Sequence, residues 1–188
     1  MSTAELTRPM TAEDLMDCPD DGIERDLIRG ELRERPITRR DPEHSGVEST
    51  IAYFLKDWLR RNPEVGGKVH SGEAGFRLRR DPDTFVGIDV AYVSPQQVVA
   101  RDRSLKFYDG PPVLAVEILS PSDQHGDVSE KVRLYLEVGT IAWVIDPDFE
   151  TVAVHRPGRK VEIFTTDHEL SGEPYLPGFR VKVVEFFG

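Results

Sequence analysis

Apolar residues along this chain fall into two kinds of run. One kind recurs at helical spacing. Val47, Ile51, Phe54, Leu55, Trp58 and Leu59 share a helical face. Asp41-Pro42-Glu43 starts that helix, with Asp as cap and Pro at the first helical position, and Asn62-Pro63 stops it. His44 lies three residues before Val47, on the same face. A second helix over residues 127–138 carries Val128, Val132, Tyr135 and Leu136, and Gly139 caps it. Shorter helices are expected at residues 11–16, capped by Thr11, and from Pro95 to Arg103.

The other kind of run is apolar on both parities, which predicts strands buried on both faces. Three are present: residues 85–93, residues 112–122 and residues 141–145. Weaker strands are expected at 23–29 and 31–37 around Gly30, at 66–73 and 75–78 on a sheet edge, and at 151–156 and 160–164 across Pro157-Gly158. The tail from Gly172 to Phe187 ends apolar. This order places helices against a mixed sheet. It predicts an α/β fold in one domain over residues 1–188, with extra β-hairpins near both ends.

Two of the buried runs break their own pattern. Asp89 sits inside the first and Glu117 inside the second, while 141–145 contains no charge. An unpaired carboxylate in such a strand costs several kcal/mol or stays protonated. Either one alone is also compatible with a strand end that touches solvent or an arginine. Lys131 adds a third anomaly, at the edge of the core-facing stripe of its helix, beside Val128 and Tyr135. It either snorkels outward or meets a buried anion, and two candidate anions lie in the neighbouring sheet.

Composition narrows the chemistry. Hydrophobic residues at 38% of 188 are enough for a core, and a net charge of −10 argues against nonspecific coating of nucleic acid without excluding a locally basic cleft. Basic pairs that can build one are Arg39-Arg40, Arg60-Arg61 and Arg79-Arg80, which fit solvated surface pairs equally well. The single Cys18 excludes an intrachain disulfide and a cysteine zinc site. There is no apolar stretch of the ~18 residues a membrane span needs, and no signal-peptide pattern, so the cytoplasm is the expected location. Asp89 and Glu117 on adjacent strands suit Mg²⁺ or Mn²⁺, with the Ile118 carbonyl as a third ligand and Lys131 to orient a water or steady a phosphate. Zinc fits less well, because the five histidines show no His-x-x-x-His spacing. No phosphate-cradling glycine motif and no Gly-x-Ser-x-Gly elbow is present.

The sequence resembles the Uma-type putative restriction endonucleases, a bacterial group of the PD-(D/E)XK nuclease superfamily. The likeness runs through Met10-Thr11-Ala12-Glu13-Asp14-Leu15, Gly22-Ile23-Glu24, Leu27-Ile28-Arg29-Gly30-Glu31-Leu32 and His44. It is strongest at Val116-Glu117-Ile118-Leu119-Ser120-Pro121-Ser122, Asp127, Glu130-Lys131 and Leu134-Tyr135. Trp143-Val144-Ile145-Asp146-Pro147 and Leu176-Pro177-Gly178-Phe179 complete it. The resemblance implies a restriction-endonuclease-like core, with Asp89 as the motif aspartate and Glu117 as the motif glutamate. Ile88 stands where relatives often have Pro, and Leu119 stands where the superfamily has its motif lysine. Lys131, from the following helix, matches the substitute lysine, and Glu31 and His44 match recurring positions that complete the site.

These readings converge on a Mg²⁺-dependent endonuclease acting on DNA. Asp89, Glu117 and the Ile118 carbonyl are expected to hold the metal, with Lys131 near the attacking water, assisted by Glu31. A homodimer is expected, because a duplex break needs two cuts and the C-terminal hairpins offer exposed edges. The competing reading is a catalytically inactive module that keeps the nuclease fold for nucleic-acid or protein binding. The charge of −10 favours it.

Overall fold

Each of the first three helices begins where a side chain takes over an unpaired backbone amide. In the computed structural model, which describes residues 8–19, 21–36, 41–120 and 125–188, α1 spans Ala12–Met16 and opens on a reciprocal capping box of Thr11 and Asp14. Helix α2 spans Pro42–Arg61, where the Asp41 carboxylate accepts from the Glu43 amide. Helix α3, Pro95–Ala100, uses Ser94 and Gln97 in the same reciprocal way. Helix α4 spans His125–Glu137. Arg39-Arg40 and Pro121-Ser122 lie outside the described residues.

The strands are β1 (Ile23–Ile28), β2 (Glu31–Pro36), β3 (Lys68–Arg79), β4 (Thr84–Val93), β5 (Tyr108–Asp109), β6 (Leu114–Ile118), β7 (Ile141–Asp146), β8 (Thr151–His155), β9 (Glu162–Phe164), β10 (Glu169–Ser171) and β11 (Arg180–Lys182). The first nine form one mixed sheet, in the order β2-β1-β4-β6-β7-β8-β9, with β3 joined to β4 and β5. Strands β6 and β7 run parallel and are linked through α4; β10 and β11 pair separately. Val47, Ile51, Leu55 and Trp58 of α2 pack with Val116 and Trp143 on one face. Val132 and Tyr135 of α4 pack with Ala115 and Ala142 on the other. Both faces of β4 and β6 are therefore covered, as their unbroken apolar runs require.

Residues 66–73 and 75–78, expected as two short strands at the sheet edge, form one continuous strand from Lys68 to Arg79, with only the two-residue β5 on its outer side. Strand β3 is twelve residues long and pairs with β4 along its length, and also with β5. What broke the sequence pattern is a β-bulge. Ser71 pairs with Val90 and Ala74 with Ile88, so Gly72 and Glu73 together face the single residue Asp89. Both adopt left-handed backbone, with φ of 81° and 56°. Glycine accepts this freely, and Glu73 does so at a cost of order 1–3 kcal/mol. The packing on β4 slips at the same point. Val86 and Ile88 pack with Ala91 and Val93 in one core, while Val90 and Tyr92 pack in the other.

The opposite edge of β4 is divided between two strands. Strand β6 pairs with Val90–Tyr92, and β1 pairs at Phe85. Neither register reaches residues 86–89. A buried backbone edge left without a strand must find other partners, and the candidate site is built from the side chains that supply them.

Candidate active site

At the gap in β4 the Gly87 amide donates to Asp26 Oδ1 at 3.0 Å, and the Gly87 carbonyl accepts from Lys131 Nζ at 2.9 Å. Where the β4–β6 ladder stops, Asp89 Oδ2 accepts the Ile118 amide at 2.8 Å. Three ionisable side chains thus replace ladder partners. Asp26, Asp89, Glu117 and Lys131 are all buried. An added Cβ at Gly87 would meet the tip of the Glu73 carboxylate, which would have to shift.

Glu117 projects from β6 toward α4. Lys131 Nζ donates to its Oε2 at 3.2 Å, and the Tyr135 hydroxyl donates to its Oε1 at 2.5 Å. Lys131 and Tyr135 are four apart, one above the other on the helix. Lys131 also lies 4.0 Å from Asp26 Oδ2, which accepts from Arg35 at 3.0 Å. Lys131 therefore does not snorkel: it is 6% exposed and meets buried anions.

On the far side of Asp89 stands the start of α2. His44 Nε2 is 3.4 Å from Asp89 Oδ1 and 4.0 Å from Glu48 Oε2. Glu48 Oε1 also accepts the Gly72 amide at 2.7 Å, which ties α2 to the bulge that faces Asp89.

Charge in this cluster is unbalanced. Burial pushes the Glu117 carboxyl up to about 8; Lys131 opposes the rise, and the Asp89 and Glu73 charges add to it. Burial also disfavours the charge on Asp89. There the hydrogen bonds from His44 and the Ile118 amide, with the charges of His44 and Lys131, win and hold it at about 2. For Lys131, burial is outweighed by the charges of Glu117, Asp26 and Glu73, so its pKa is raised and the ammonium persists. Asp26, Glu73, Asp89 and Glu117 gather around Lys131 and Arg35, with His44 beside Asp89.

His44, Glu48 and Asp89 each offer one donor atom, all within 4.8 Å of one another. Two carboxylates and an imidazole at that spacing fit a divalent ion, with Mn²⁺ favoured over Mg²⁺ by the nitrogen donor. Glu117 is not in this group.

Of the residues singled out in the sequence, Asp89, Glu117, Lys131 and His44 come together. Glu31 does not join them. It opens β2 opposite Ile28, with its side chain 73% exposed and its carboxylate 3.2 Å from Arg33. The same hairpin contributes Asp26 instead. Asp26, Glu48, Glu73 and Tyr135 were not singled out. Glu48 and Tyr135 were detectable as the i+4 neighbours of His44 and Lys131, and Asp26 as another acid in a strand.

The sign of the Glu117 shift sets a pH dependence. Its folded pKa lies above the ordinary 4.5. The stability it contributes is therefore complete below that pH and is lost as pH rises toward about 8. Urea unfolding in EDTA should show the stability gap between the parent and Glu117→Gln closing, or moving in favour of the variant, across that window. A gap independent of pH would mean that Glu117 titrates normally.

The comparisons with known proteins bear on the fold and the family. The chain superposes on the crystal structure of a putative nuclease belonging to DUF820 from Anabaena variabilis, with a TM-score of 0.79 at 21% identity over 95% of this chain and 98% of that one. At that identity the likeness shows the fold, a mixed sheet flanked by helices. No curated protein matches the chain. The sequence model of one family, Uma2, described as putative restriction endonuclease, matches residues 12–184. Matched over nearly its whole length, the chain belongs to the Uma2 family of putative restriction endonucleases.

Proposed function

We propose that this protein is a single-domain, divalent-metal-dependent endonuclease that hydrolyses phosphodiester bonds in DNA and works in the cytoplasm. The observation that carries the reading is the cluster at the β4 gap, where four buried or half-buried carboxylates surround one buried lysine. A bound Mg²⁺ or Mn²⁺ would supply Lewis-acid polarisation of the phosphoryl group and lower the pKa of a water. Asp89 is the ligand common to two candidate sets, one with His44 and Glu48 and one with Glu117 and the Ile118 carbonyl. With its carboxyl held at about 2, Asp89 stays ionised throughout the working range. Glu117, raised by burial to about 8, has the proton affinity a general base needs near neutral pH. Lys131 keeps its charge and would steady negative charge developing on the phosphate. Arg35, one-third exposed, supplies a second cation from β2.

Purified protein should nick or cut plasmid DNA with Mg²⁺ or Mn²⁺ and not in EDTA, and Glu117→Gln or Lys131→Met should slow cleavage by at least ~100-fold. Binding without cleavage would favour the inactive nuclease-fold module. Millimolar metal should also raise the melting temperature. Asp89→Asn should remove that rise, and comparing Glu48→Gln with Glu117→Gln separates the two ligand sets. An unchanged parent melting curve would count against any metal site.

A homodimer would bring two such sites to one duplex. The outer strand β9 supports this, because Ile163 and the neighbouring Val161 are exposed at 64% and 48%. Light scattering should report twice the 21.3 kDa chain mass. A monomer at all working concentrations would refute the dimer.

A further inference from the structure

Basic side chains in this acidic chain gather beside the candidate site. Lys56 and Arg60 lie on the outer face of α2, while Lys68 and His70, on the first half of β3, and Arg101, just after α3, lie on the opposite face of the sheet. They are linked by geometry. His70 Nε2 is 2.9 Å from the Tyr108 hydroxyl, and the Arg101 guanidinium lies 4.8 Å from the centre of the same ring. Burial and the positive charges of Arg101, Lys68 and Lys56 all bear on His70 and lower its proton affinity. Lys56 also lines a groove of about 430 Å³, together with Tyr53, Asp57, Arg60 and Ser71. Asp57 is the acid among them, and its two oxygens are taken at 2.6 Å by Arg60 and Arg61. Tyr53 leaves 61% of its surface exposed.

The groove starts at the candidate site. Ser49 at one end follows Glu48, and Ser71 precedes the Gly72-Glu73 bulge that faces Asp89. Along α2, Lys56 and Arg60 lie about 12 and 18 Å beyond Glu48 at 1.5 Å per residue. That distance matches about three to five base pairs of duplex at 3.4 Å each.

We propose that this groove, lined by Lys56 and Arg60, together with the β3 edge beyond it, where Lys68 and Arg101 flank His70 on the other face of the sheet, binds the phosphate backbone of a DNA duplex running away from the cleavage site. The proposal rests on the nuclease reading for the identity of the strand. In a chain of net charge −10, such a patch would supply both the attraction and the orientation of an acidic polymer.

The test is fluorescence anisotropy of a labelled random-sequence duplex with the full chain in EDTA, across a range of salt. Parent affinity should fall steeply with salt. Lys56→Ala, Lys68→Ala and Arg101→Ala should each reduce the log–log slope by about one, and the triple variant by about three. Lys56→Arg with Lys68→Arg should keep the parent slope. Arg159→Ala with Lys160→Ala, on the distant β8–β9 turn, should keep it as well. A triple variant with the parent slope, or a parent with no salt-sensitive binding, would overturn the proposal. Cleavage is scored separately. A parent that cuts DNA while the triple variant binds normally sinks the groove alone. A parent that binds through the groove but does not cut sinks the nuclease reading alone.

Discussion

Everything in the site follows from one unfilled stretch of backbone. Strand β4 is flanked along one edge by β3, but its other edge is shared by β6 and β1, whose pairings stop short of each other. In a buried sheet this leaves the Gly87 amide and carbonyl, and the Ile118 amide, without ladder partners. Asp26, Lys131 and Asp89 fill those roles. Side chains rigidly anchored to backbone in this way hold their charged groups where solvent alone would not, which is what a catalytic or metal site needs.

The same constraint explains the electrostatics. Filling the gap with acids brings Asp26 and Asp89 near Glu117 and the bulged Glu73. One lysine with Arg35 balances only part of that charge. Asp89, with an amide and an imidazole as partners, is driven toward ionisation; Glu117, fully buried and facing the Asp89 and Glu73 charges as well as Lys131, is driven toward protonation. Two carboxyl groups with separated proton affinities are a pattern suited to dividing labour between ligand and base. The bulge in β3 belongs to the same device, because it turns Glu73 toward Gly87 and gives Glu48 of α2 a backbone amide to hold.

What was legible in the sequence was what violates a local rule. Asp89 and Glu117 stood out because both faces of their strands are apolar, and Lys131 because its helical phase set it against core. Caps at Thr11 and Asp41 fixed two helix starts to the residue. Asp26 stayed hidden because its strand, with Arg25 beside it, has no clean alternation. Tyr135 counted as an apolar core residue until its hydroxyl was seen to donate to Glu117. The gap itself has no local signature, since it arises from where β1 and β6 meet β4 across long sequence separations. Glu31 was chosen by resemblance, and its place at the hairpin turn leaves it in solvent. The β3 bulge read as a strand break because two residues with left-handed backbone interrupt the pattern.

The central claim is that Lys131 is a structural counter-ion of the gap as well as a candidate for chemistry. The most direct measurement is a double-mutant cycle of Lys131→Met and Glu117→Gln by urea unfolding in EDTA, where bound metal cannot mask the effect. Removing the lysine strands buried carboxylates and a backbone carbonyl, so Lys131→Met should lose about 3–5 kcal/mol. Glu117→Gln should lose less, and the double variant should lose less than the two single losses summed, by at least ~0.5 kcal/mol. A Lys131→Met protein as stable as the parent, or strictly additive losses, would contradict the account.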